Sequence, residues 1–218
     1  MNAFVSWSGG KDCLYALHNL YKRQGGTPPE EVTLLNMVSS DGKMSRSHGI
    51  DPSAMRAQAE AMGLPILQVP IESGYEASFK SAIQRLQAEK GIDTGIFGDI
   101  YLKAHREWIE RVTSELSVRP LFPLWGRDTA ELVRAFVRDG FKTRIVAVRK
   151  GTTAVPFLGR DVDEAFVEEA SRLPMDLCGE EGEYHTFVYD GPLFRHPVSF
   201  RVGEKWEDEK HFFLPILV

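Results

Sequence analysis

The first chemical feature of the chain is a short glycine-rich stretch that carries one cation and one carboxylate. It comprises Ser8, Gly9, Gly10, Lys11 and Asp12. Adjacent glycines let a backbone approach a ligand closely, and Lys11 adds a mobile positive charge. Asp12 would repel a phosphate unless a divalent cation lies between them or the side chain turns away to cap the backbone. These residue types therefore predict a site for pyrophosphate with magnesium.

The surrounding pattern places the glycines at a strand-to-helix turn. Residues 3–5 form an apolar run typical of a buried parallel strand, and Leu14, Leu17, His18 and Tyr21 recur at the spacing of an amphipathic helix. The unpaired N–H groups and the positive end of such a helix favour a bound anion. A glycine-rich turn without a ligand is the alternative.

The stretch differs from the two commonest phosphate-binding motifs. In a Walker A reading, Val5 would stand at the first glycine and Asp12 at the hydroxyl residue, and no G-x-G-x-x-G follows a predicted strand. The stretch instead resembles S-G-G-x-D-S, the signature of the PP-loop ATP pyrophosphatases, with Cys13 replacing the final serine. This resemblance implies cleavage of ATP between the α and β phosphates and transfer of AMP to a carbonyl-type oxygen.

A second polar stretch lies between a predicted helix and a predicted strand. Glu180, Glu181, Glu183 and His185 fall within six residues that also include a glycine. This density of charge is unsuited to a core. The carboxylates could bind Mg²⁺ or activate an amine nucleophile, with a solvated acidic loop as the alternative.

Further candidates follow predicted strands at their carboxyl ends, where open α/β sheets bind ligands. Ser39 and Ser40 follow the second strand and predict a wall for adenine and ribose, with a solvent-exposed loop as the alternative. Gly98 and Asp99 lie at the end of the fourth strand. We expect Asp99 to hold a cation or to orient the nucleotide, with an aspartate that only forms a turn as the alternative.

A polar loop and a single histidine receive different interpretations. The loop after the second strand carries Ser45, Arg46 and His48, which we expect to bind phosphate or a substrate carboxylate, with a mobile lid as the alternative. His105 lies on the apolar stripe of a later helix, with Ile109. We therefore predict that His105 is a packed core residue.

Composition excludes several classes of protein. The chain has 218 residues, 43% of them hydrophobic, and a formal charge of −5, which argues against nonspecific nucleic-acid binding. Its two cysteines, Cys13 and Cys178, are far apart and suggest neither a disulfide framework nor a cysteine zinc site. There is no basic leader and no apolar run of membrane-spanning length. We expect a cytoplasmic protein that does not insert into membranes.

The order of the predicted elements indicates an α/β fold. Five short apolar strands alternate with helices along residues 1–124, which predicts a doubly wound parallel sheet. We assign residues 1–126 to a PP-loop ATP-binding domain and residues 127–218 to a smaller α+β substrate and catalytic domain. Asp128 with Glu131 is predicted to cap the next helix, and Asp161 with Glu164 a later one.

Three motifs occur together and in order: residues 8–12, residues 98–100 and residues 179–186. This combination resembles the diphthine–ammonia ligase family over essentially the entire chain. The resemblance implies a nucleotide-binding domain of the HUP type, a small family-specific C-terminal domain and a site between them. It also implies ATP-dependent amidation, in which a substrate carboxylate is adenylated, pyrophosphate leaves and ammonia displaces AMP.

The resemblance also assigns roles to residues. The pyrophosphate site is residues 8–12, with Lys11 and Asp12 taking part in the chemistry, and the metal ligands are Asp12 and Asp99. The residues expected to face the acyl-adenylate are Glu180, Glu183, Tyr184, His185 and Thr186. Ammonia must attack as the free base, and Glu183 or His185 is the preferred proton acceptor. Glu181 stands where members of the family tend to have glycine, which adds charge and bulk to the expected acyl pocket.

The implied ligands are ATP, Mg²⁺, ammonium and an acceptor carboxylate. In an archaeal or eukaryotic source that acceptor would be diphthine on elongation factor 2. The sequence leaves a homo-oligomer open. Two other readings compete: a PP-loop enzyme that modifies tRNA, which the acidic charge and the isolated cysteines disfavour, and a nucleotide sensor that needs the glycine-rich stretch but not residues 180–186.

Overall fold

A computed structural model describes residues 1–23, 25, 31–40 and 49–218. In the first part of the chain the strands are β1 (Asn2–Ser6), β2 (Glu31–Val38), β3 (Ile66–Pro70), β4 (Thr94–Ile96) and β5 (Arg119–Leu121). The helices are α1 (Lys11–Arg23), α2 (Pro52–Met62), α3 (Tyr75–Lys90) and α4 (Lys103–Glu115). The five strands form one parallel sheet in the order β3-β2-β1-β4-β5. The predicted doubly wound parallel fold is confirmed.

The central strand β1 divides the core into two layers. Ala3, Phe4 and Val5 are fully buried, as expected of a strand covered on both faces. Because side chains alternate along a strand, Ala3 and Val5 pack in the layer of α1 and α2, whereas Phe4 packs in the layer of α3 and α4. Helices therefore cover both faces of the sheet.

The strand order reverses at β1. The chain runs outward from β1 to β2 and β3, and then returns through α3 to place β4 on the other side of β1. The carboxyl ends of β1 and β4 therefore flank a topological switch point, where such sheets bind ligands. Residues 8–12 follow β1 and residues 98–99 follow β4, so the topology alone brings these two motifs together.

The second part of the chain is an α+β arrangement, as the sequence predicted. Its helices are α5 (Thr129–Arg138), α6 (Glu164–Ala170) and a 3₁₀ turn (Val155–Phe157), and its strands are β6 (Lys142–Arg149), β7 (Tyr184–Asp190), β8 (Arg201–Val202), β9 (Trp206–Glu207), β10 (His211–Phe213) and β11 (Ile216–Leu217). An antiparallel sheet has the order β7-β6-β10-β9, and β11 pairs with β8. One buried cluster contains residues from both parts, for example Leu14 and Phe187. The boundary after residue 126 stays a prediction.

Of the local predictions, two need correction and one is confirmed. The fourth strand ends at Ile96, so Gly98 and Asp99 lie in the loop beyond it. Asp128 caps α5 by accepting from the Glu131 N–H at 2.8 Å, as predicted. The cap of α6 is Asp163, whose side chain accepts from the Phe166 N–H, and not Asp161. The Asp161 carboxylate instead pairs with the guanidinium of Arg144 on β6. Within the described residues, no helix has the length and apolar character needed to cross a membrane.

Candidate active site

Gly9 is fixed by packing against α2. Its φ of +78° lies in the left-handed region, and a Cβ on this residue would lie 2.5 Å from the sulfur of Met55. Its carbonyl oxygen accepts hydrogen bonds from the Gln58 side chain at 2.9 Å and from the Val188 N–H at 3.1 Å. The sequence predicted that this glycine allows a ligand to approach, but here the close neighbours are protein side chains.

Gln58 connects three distant segments around this turn. It is fully buried, and its side-chain oxygen accepts from the Trp7 indole N–H at 3.1 Å. Its amide nitrogen donates to the carbonyl oxygens of Gly9 and Val188, at 2.9 and 2.6 Å. All of its strong polar atoms are therefore used, and β1, α2 and β7 are held in one arrangement.

Gly98 allows α1 to pass close to the loop after β4. A Cβ on Gly98 would lie 2.7 Å from both the Asp12 carbonyl carbon and the Cys13 nitrogen. Since these are backbone atoms at the start of a helix, a side chain at position 98 would push α1 away from the sheet. The glycine thus keeps Asp12 close to Asp99.

Lys11 is buried rather than mobile. It is 4% exposed, and its ammonium group donates to the Asp12 carboxylate at 2.9 Å and to the Cys178 carbonyl oxygen. The ammonium nitrogen also lies 5.0 Å from the centre of the Tyr184 ring. Burial by itself favours the neutral amine, but the charge of the Asp12 carboxylate, with smaller contributions from Tyr184 and Cys178, outweighs it and raises the pKa of Lys11. Lys11 therefore stays charged and fixed in position.

The start of α1 is tied to β7 as well. The backbone N–H of Lys11, the first residue of the helix, donates to the Thr186 hydroxyl at 3.0 Å. This N–H is one of the unpaired donors that the sequence assigned to a bound anion. Thr186 already satisfies it, so Thr186 positions the start of α1.

The second polar stretch is folded by short-range hydrogen bonds. The Asp176 carboxylate accepts from the backbone N–H groups of Cys178 at 2.8 Å and Glu180 at 3.2 Å. In return, the Glu183 carboxylate accepts from the Asp176 N–H at 3.0 Å. The Tyr184 hydroxyl donates to the Leu177 carbonyl oxygen at 2.5 Å. The sequence analysis did not single out Asp176. Its carboxylate accepts from the N–H two residues later, which is an Asx turn, and aspartate is a residue type that favours such turns.

Glu180 reaches across to the parallel sheet. One of its carboxylate oxygens accepts from the Ile100 N–H at 2.9 Å, just beyond Asp99. Burial raises the pKa of Glu180 to about 7, and the nearby carboxylates of Asp12 and Asp99 add to the rise, against the opposing Ile100 hydrogen bond. A carboxyl group with this pKa exchanges protons near neutral pH.

A cavity of about 560 Å³ opens at the switch point and gathers residues from both motifs. Its polar lining consists of Ser6, Ser8, Lys11, Asp12, Cys13, Gly98, Asp99, His105, Gly179, Glu180, Tyr184, His185 and Thr186. Most of the residues that the sequence assigned to pyrophosphate, metal and acyl-adenylate are therefore in one place. Whether each plays its predicted role stays a prediction.

Other predicted residues do not line this cavity. The Glu183 side chain is 7% exposed and braces Asp176, so it is directed into the protein. Ser39 and Ser40 follow β2 at the same edge of the sheet but are not part of the lining, and Gly9 and Gly10 contribute none of it. Glu181 is exposed and also lies outside the cavity, so it adds no bulk there.

The predicted substrate residues Ser45, Arg46 and His48 fall outside the described residues. Their assignment stays a prediction.

His105 was predicted to be a core residue, and this is wrong. Its side chain is 66% exposed at the cavity, and its Nδ1 lies 3.5 Å from the Asp99 carboxylate. That carboxylate raises the pKa of His105. The apolar stripe of α4 begins one turn later, at Ile109. One signal in the sequence could have placed His105 at the site. It lies in the first turn of α4, and this helix starts at the carboxyl edge of the sheet, where ligands bind.

The cavity also has an aromatic end that no motif indicated. Its lining there includes Tyr75, Phe79, Phe97, Trp108 and Ile109, from α3, α4 and the loop after β4. The rings of Tyr75, Phe79 and Trp108 lie in mutual contact, with centroids 5.6 to 5.9 Å apart. We call these three residues the aromatic compartment.

Within the described part of the chain, no group of three or more His, Cys, Asp or Glu side chains forms a ready metal site. Mg²⁺ does not need one, because it is commonly bound by one or two carboxylates together with substrate phosphates and water. Asp12 and Asp99 both line the cavity and are close enough for each to raise the pKa of Glu180. These two residues fit the protein's share of such a site.

The parallel sheet, its strand order and the glycine-rich turn at its switch point define a Rossmann-like α/β protein with an added α+β part. Residues 1–120 match the model of the diphthamide synthase N-terminal domain, and residues 128–216 match that of the diphthamide synthase C-terminal domain. The chain therefore belongs to the diphthamide synthase family, and the resemblance noted from the motifs is confirmed.

Curated relatives agree with this assignment. The diphthine–ammonia ligase of Homo sapiens is 29% identical, and the match covers 96% of this chain and 86% of that protein. The diphthine–ammonia ligase of Danio rerio is 27% identical, with 96% and 90% covered. The Saccharomyces cerevisiae protein of the same name is 25% identical over 87% of this chain but only 33% of its own length.

Proposed function

We propose that this chain is an ATP-dependent, AMP-forming amide ligase that adenylates a carboxylate and then lets ammonia displace AMP. The family supports an ATP-dependent ligase of this kind. The relatives are named for diphthine and ammonia, and we extend these two substrates to this chain. For an archaeal or eukaryotic source, the resemblance of the motifs implies that elongation factor 2 carries the diphthine. The observation that carries the proposal is that Asp12, Asp99 and Glu180, from three separate segments, line one cavity.

The polar end of the cavity is suited to the phosphates of ATP. The positive end of α1 and the charged Lys11 ammonium offset negative charge there. Asp12 and Cys178 hold the Lys11 ammonium group in place, so the side chain does not need to move when pyrophosphate begins to leave. Mg²⁺ bound at Asp12 and Asp99 would neutralise the departing pyrophosphate.

Amidation requires a group that accepts a proton from nitrogen. When ammonia attacks the acyl-adenylate, a C–N bond forms, the C–O bond to AMP breaks and the nitrogen loses a proton. Glu180 lines the cavity, is anchored at Ile100 and has a pKa of about 7, so we assign this role to Glu180. His185 also lines the cavity and is the second candidate. Glu183, preferred on sequence, is assigned a bracing role.

The buried cysteines argue against a thiolation enzyme. Cys13 and Cys178 are 5% and 2% exposed, and burial raises the pKa of both thiols. A sulfur-transfer reaction needs an accessible thiolate. Cys178 lies outside the lining of the active-site cavity, and Cys13 borders it with a buried thiol whose pKa is raised, so neither offers an accessible thiolate.

The test is a nucleotide product analysis with a defined acceptor. The purified protein is incubated with Mg-ATP, ammonium and elongation factor 2 that carries diphthine, and AMP, ADP and pyrophosphate are separated. We expect AMP and pyrophosphate in amounts equal to the amide formed. Formation of ADP, or ATP binding with no turnover on this acceptor, would overturn the proposal.

A second assay separates the two half-reactions. Without ammonium, exchange of labelled pyrophosphate into ATP should require the acceptor carboxylate, because adenylation is reversible. Glu180→Gln should retain this exchange but lose amide formation. The matched control is Glu181→Gln, since that carboxylate lies in the same loop but is exposed and outside the cavity.

A further inference from the structure

A second cavity lies between the start of α1 and α5, and we call it the small cavity. Its lining consists of Lys11, Asp12, Tyr15, Leu124, Leu132, Val133, Phe136 and Cys178. We propose that the small cavity holds the ammonia molecule that displaces AMP, and that its size restricts the nucleophile to ammonia. This rests on the proposed function, because ammonia acts in the second half-reaction of that function.

The small cavity has room for one molecule of the size of water. Its volume is about 10 Å³, whereas that of the active-site cavity is about 560 Å³. A volume of about 10 Å³ is close to the smallest that can hold a water molecule. Ammonia, like water, has a single heavy atom, whereas the simplest organic amine, methylamine, has two. The small cavity therefore admits ammonia and excludes methylamine.

The small cavity shares a wall with the active-site cavity. Lys11 and Asp12 line both cavities, whereas Asp99 and Glu180 line the active-site cavity alone. The acyl-adenylate would occupy the active-site cavity, so the nucleophile needs a position of its own. A molecule in the small cavity is separated from the acyl-adenylate only by the Lys11 and Asp12 side chains.

The shared wall offers ammonia both a hydrogen-bond acceptor and a donor. The Lys11 ammonium group donates to the Asp12 carboxylate at 2.9 Å and to the Cys178 carbonyl oxygen. These bonds use two of its three N–H donors, and the third can donate to the lone pair of ammonia. The Asp12 carboxylate can accept an N–H of ammonia in return. A neutral molecule that both donates and accepts is therefore suited to this wall.

The charges of the small cavity disfavour the ammonium ion. The charges of Lys11 and Asp12 offset each other across the 2.9 Å ion pair. The remaining wall is mostly apolar and buried, with Leu124, Leu132 and Val133 among its residues. A cation there would lose its water shell without gaining a counter-ion, which is far more costly than burial of a neutral amine. Ammonia is therefore held as the free base that the attack requires.

The step that follows is the amidation already described. The nitrogen of the held ammonia forms the C–N bond, the C–O bond to AMP breaks and the proton released by nitrogen passes to Glu180. The proton that separates ammonium from ammonia stays in the solvent. No further reactant is needed.

A comparison of two amines tests the inference with the whole protein. Mg-ATP and the acceptor are supplied with either ammonium chloride or methylammonium chloride, and mass spectrometry measures the amide and the methylamide. We expect the wild type to prefer ammonia by about 10- to 200-fold, the usual discrimination against one additional carbon. Leu132→Ala removes three carbon atoms from the wall and should reduce this preference at least about tenfold. Exchange of labelled pyrophosphate into ATP, which needs no amine, should change by less than about twofold.

The matched control is Leu86→Ala. Leu86 is a buried leucine on α3 that lines neither cavity, so this variant should keep the wild-type preference for ammonia. If Leu132→Ala loses its folded circular-dichroism signal, Val133→Ala provides the same comparison. Its control is Val112→Ala, a buried valine on α4 outside both linings.

The outcomes separate this inference from the proposed function. Amide formation from ammonium, with an unchanged preference in the folded variant of the small cavity, would overturn this inference alone. Equal use of the two amines by the wild type would also overturn it. If ammonium itself gives no amide, the proposed function is wrong and the inference is wrong with it.

Discussion

The two ends of the cavity are held in place by different forces. At the polar end, directional hydrogen bonds join segments far apart in sequence, such as the Lys11 N–H with Thr186 and the Ile100 N–H with Glu180. At the aromatic end, the Tyr75, Phe79 and Trp108 rings pack against one another on α3 and α4. Hydrogen bonds fix position and angle, whereas ring packing mainly needs volume and shape. Small changes should therefore cost more at the polar end.

The largest effect is expected for Asp12→Asn. The change keeps the shape of the side chain but removes the charge that pairs with Lys11 and would hold Mg²⁺. We expect the kcat for AMP formation to fall about 10³-fold, as for other preorganised electrostatic groups. The measurement is AMP release at saturating Mg-ATP, with the exposed Glu181→Gln as control. A fall of less than about tenfold would show that the charge at position 12 is not part of the chemistry.

The next effect is on stability, from Gln58→Leu. The leucine fills the volume but leaves the Trp7 N–H and the carbonyl oxygens of Gly9 and Val188 without this partner. We expect the free energy of unfolding to drop by about 3 kcal/mol, because buried polar groups that lose a partner are costly. Urea denaturation measures it.

The exposed Gln84→Leu is the matched control for this change and should stay within about 0.5 kcal/mol. If Gln58→Leu were as stable as the control, the turn at Gly9 would not depend on this link between β1, α2 and β7.

Glu180→Gln should change activity and stability in opposite directions. We expect amide formation to fall about 10²-fold, since the proton acceptor is removed. In the native protein the Glu180 pKa of about 7 lies above its ordinary value of 4.5, so the folded state binds the proton more tightly than the unfolded state. The native carboxyl group therefore costs stability as the pH rises from 4.5 to 7, and the glutamine does not.

The stability effect is measured on the ligand-free protein by urea unfolding at pH 5 and pH 8. At pH 8 the variant should exceed the wild type by about 1 kcal/mol, a figure reduced for solvent screening of a partly exposed group. At pH 5 the difference should nearly vanish. Glu183→Gln provides the contrast, because we expect it to reduce stability without removing the proton acceptor. An equal pH response in both variants would contradict the division of roles between the two glutamates.

The polar end was predictable to the extent that it follows from local pattern. Residues 8–12 and Asp99 come directly after apolar runs that predict strands. Because parallel strands align their carboxyl ends, the alternation of strands and helices is enough to bring these two motifs to the same edge of the sheet. Glu180 was found because charges so dense are unsuited to a core. Its contact with Ile100, however, depends on how the second part of the chain packs on the first.

The sequence did not reveal the direction in which each side chain points. Glu183 and Glu180 are three residues apart in one acidic stretch, yet one braces Asp176 and the other lines the cavity. Lys11 turns toward Cys178 because the C-terminal segment lies over the turn, which no periodicity in residues 1–23 records. The aromatic compartment draws on residues that helical spacing marks as core, so its opening into a cavity depends on the space between α3 and α4.

The smallest of these effects, Thr186→Val, tests whether the hydrogen bonds of the polar end matter one at a time. Valine has the same shape but cannot accept from the Lys11 N–H, which would be left buried without this partner. We expect a loss of about 1 kcal/mol in the free energy of unfolding and a decrease of less than about tenfold in AMP formation, since Gln58 and Gly98 still hold the turn. Thr186→Ser keeps the hydroxyl and should restore both quantities. If serine behaved like valine, the loss would come from packing of the methyl group, and the polar end would tolerate change as the aromatic end is expected to.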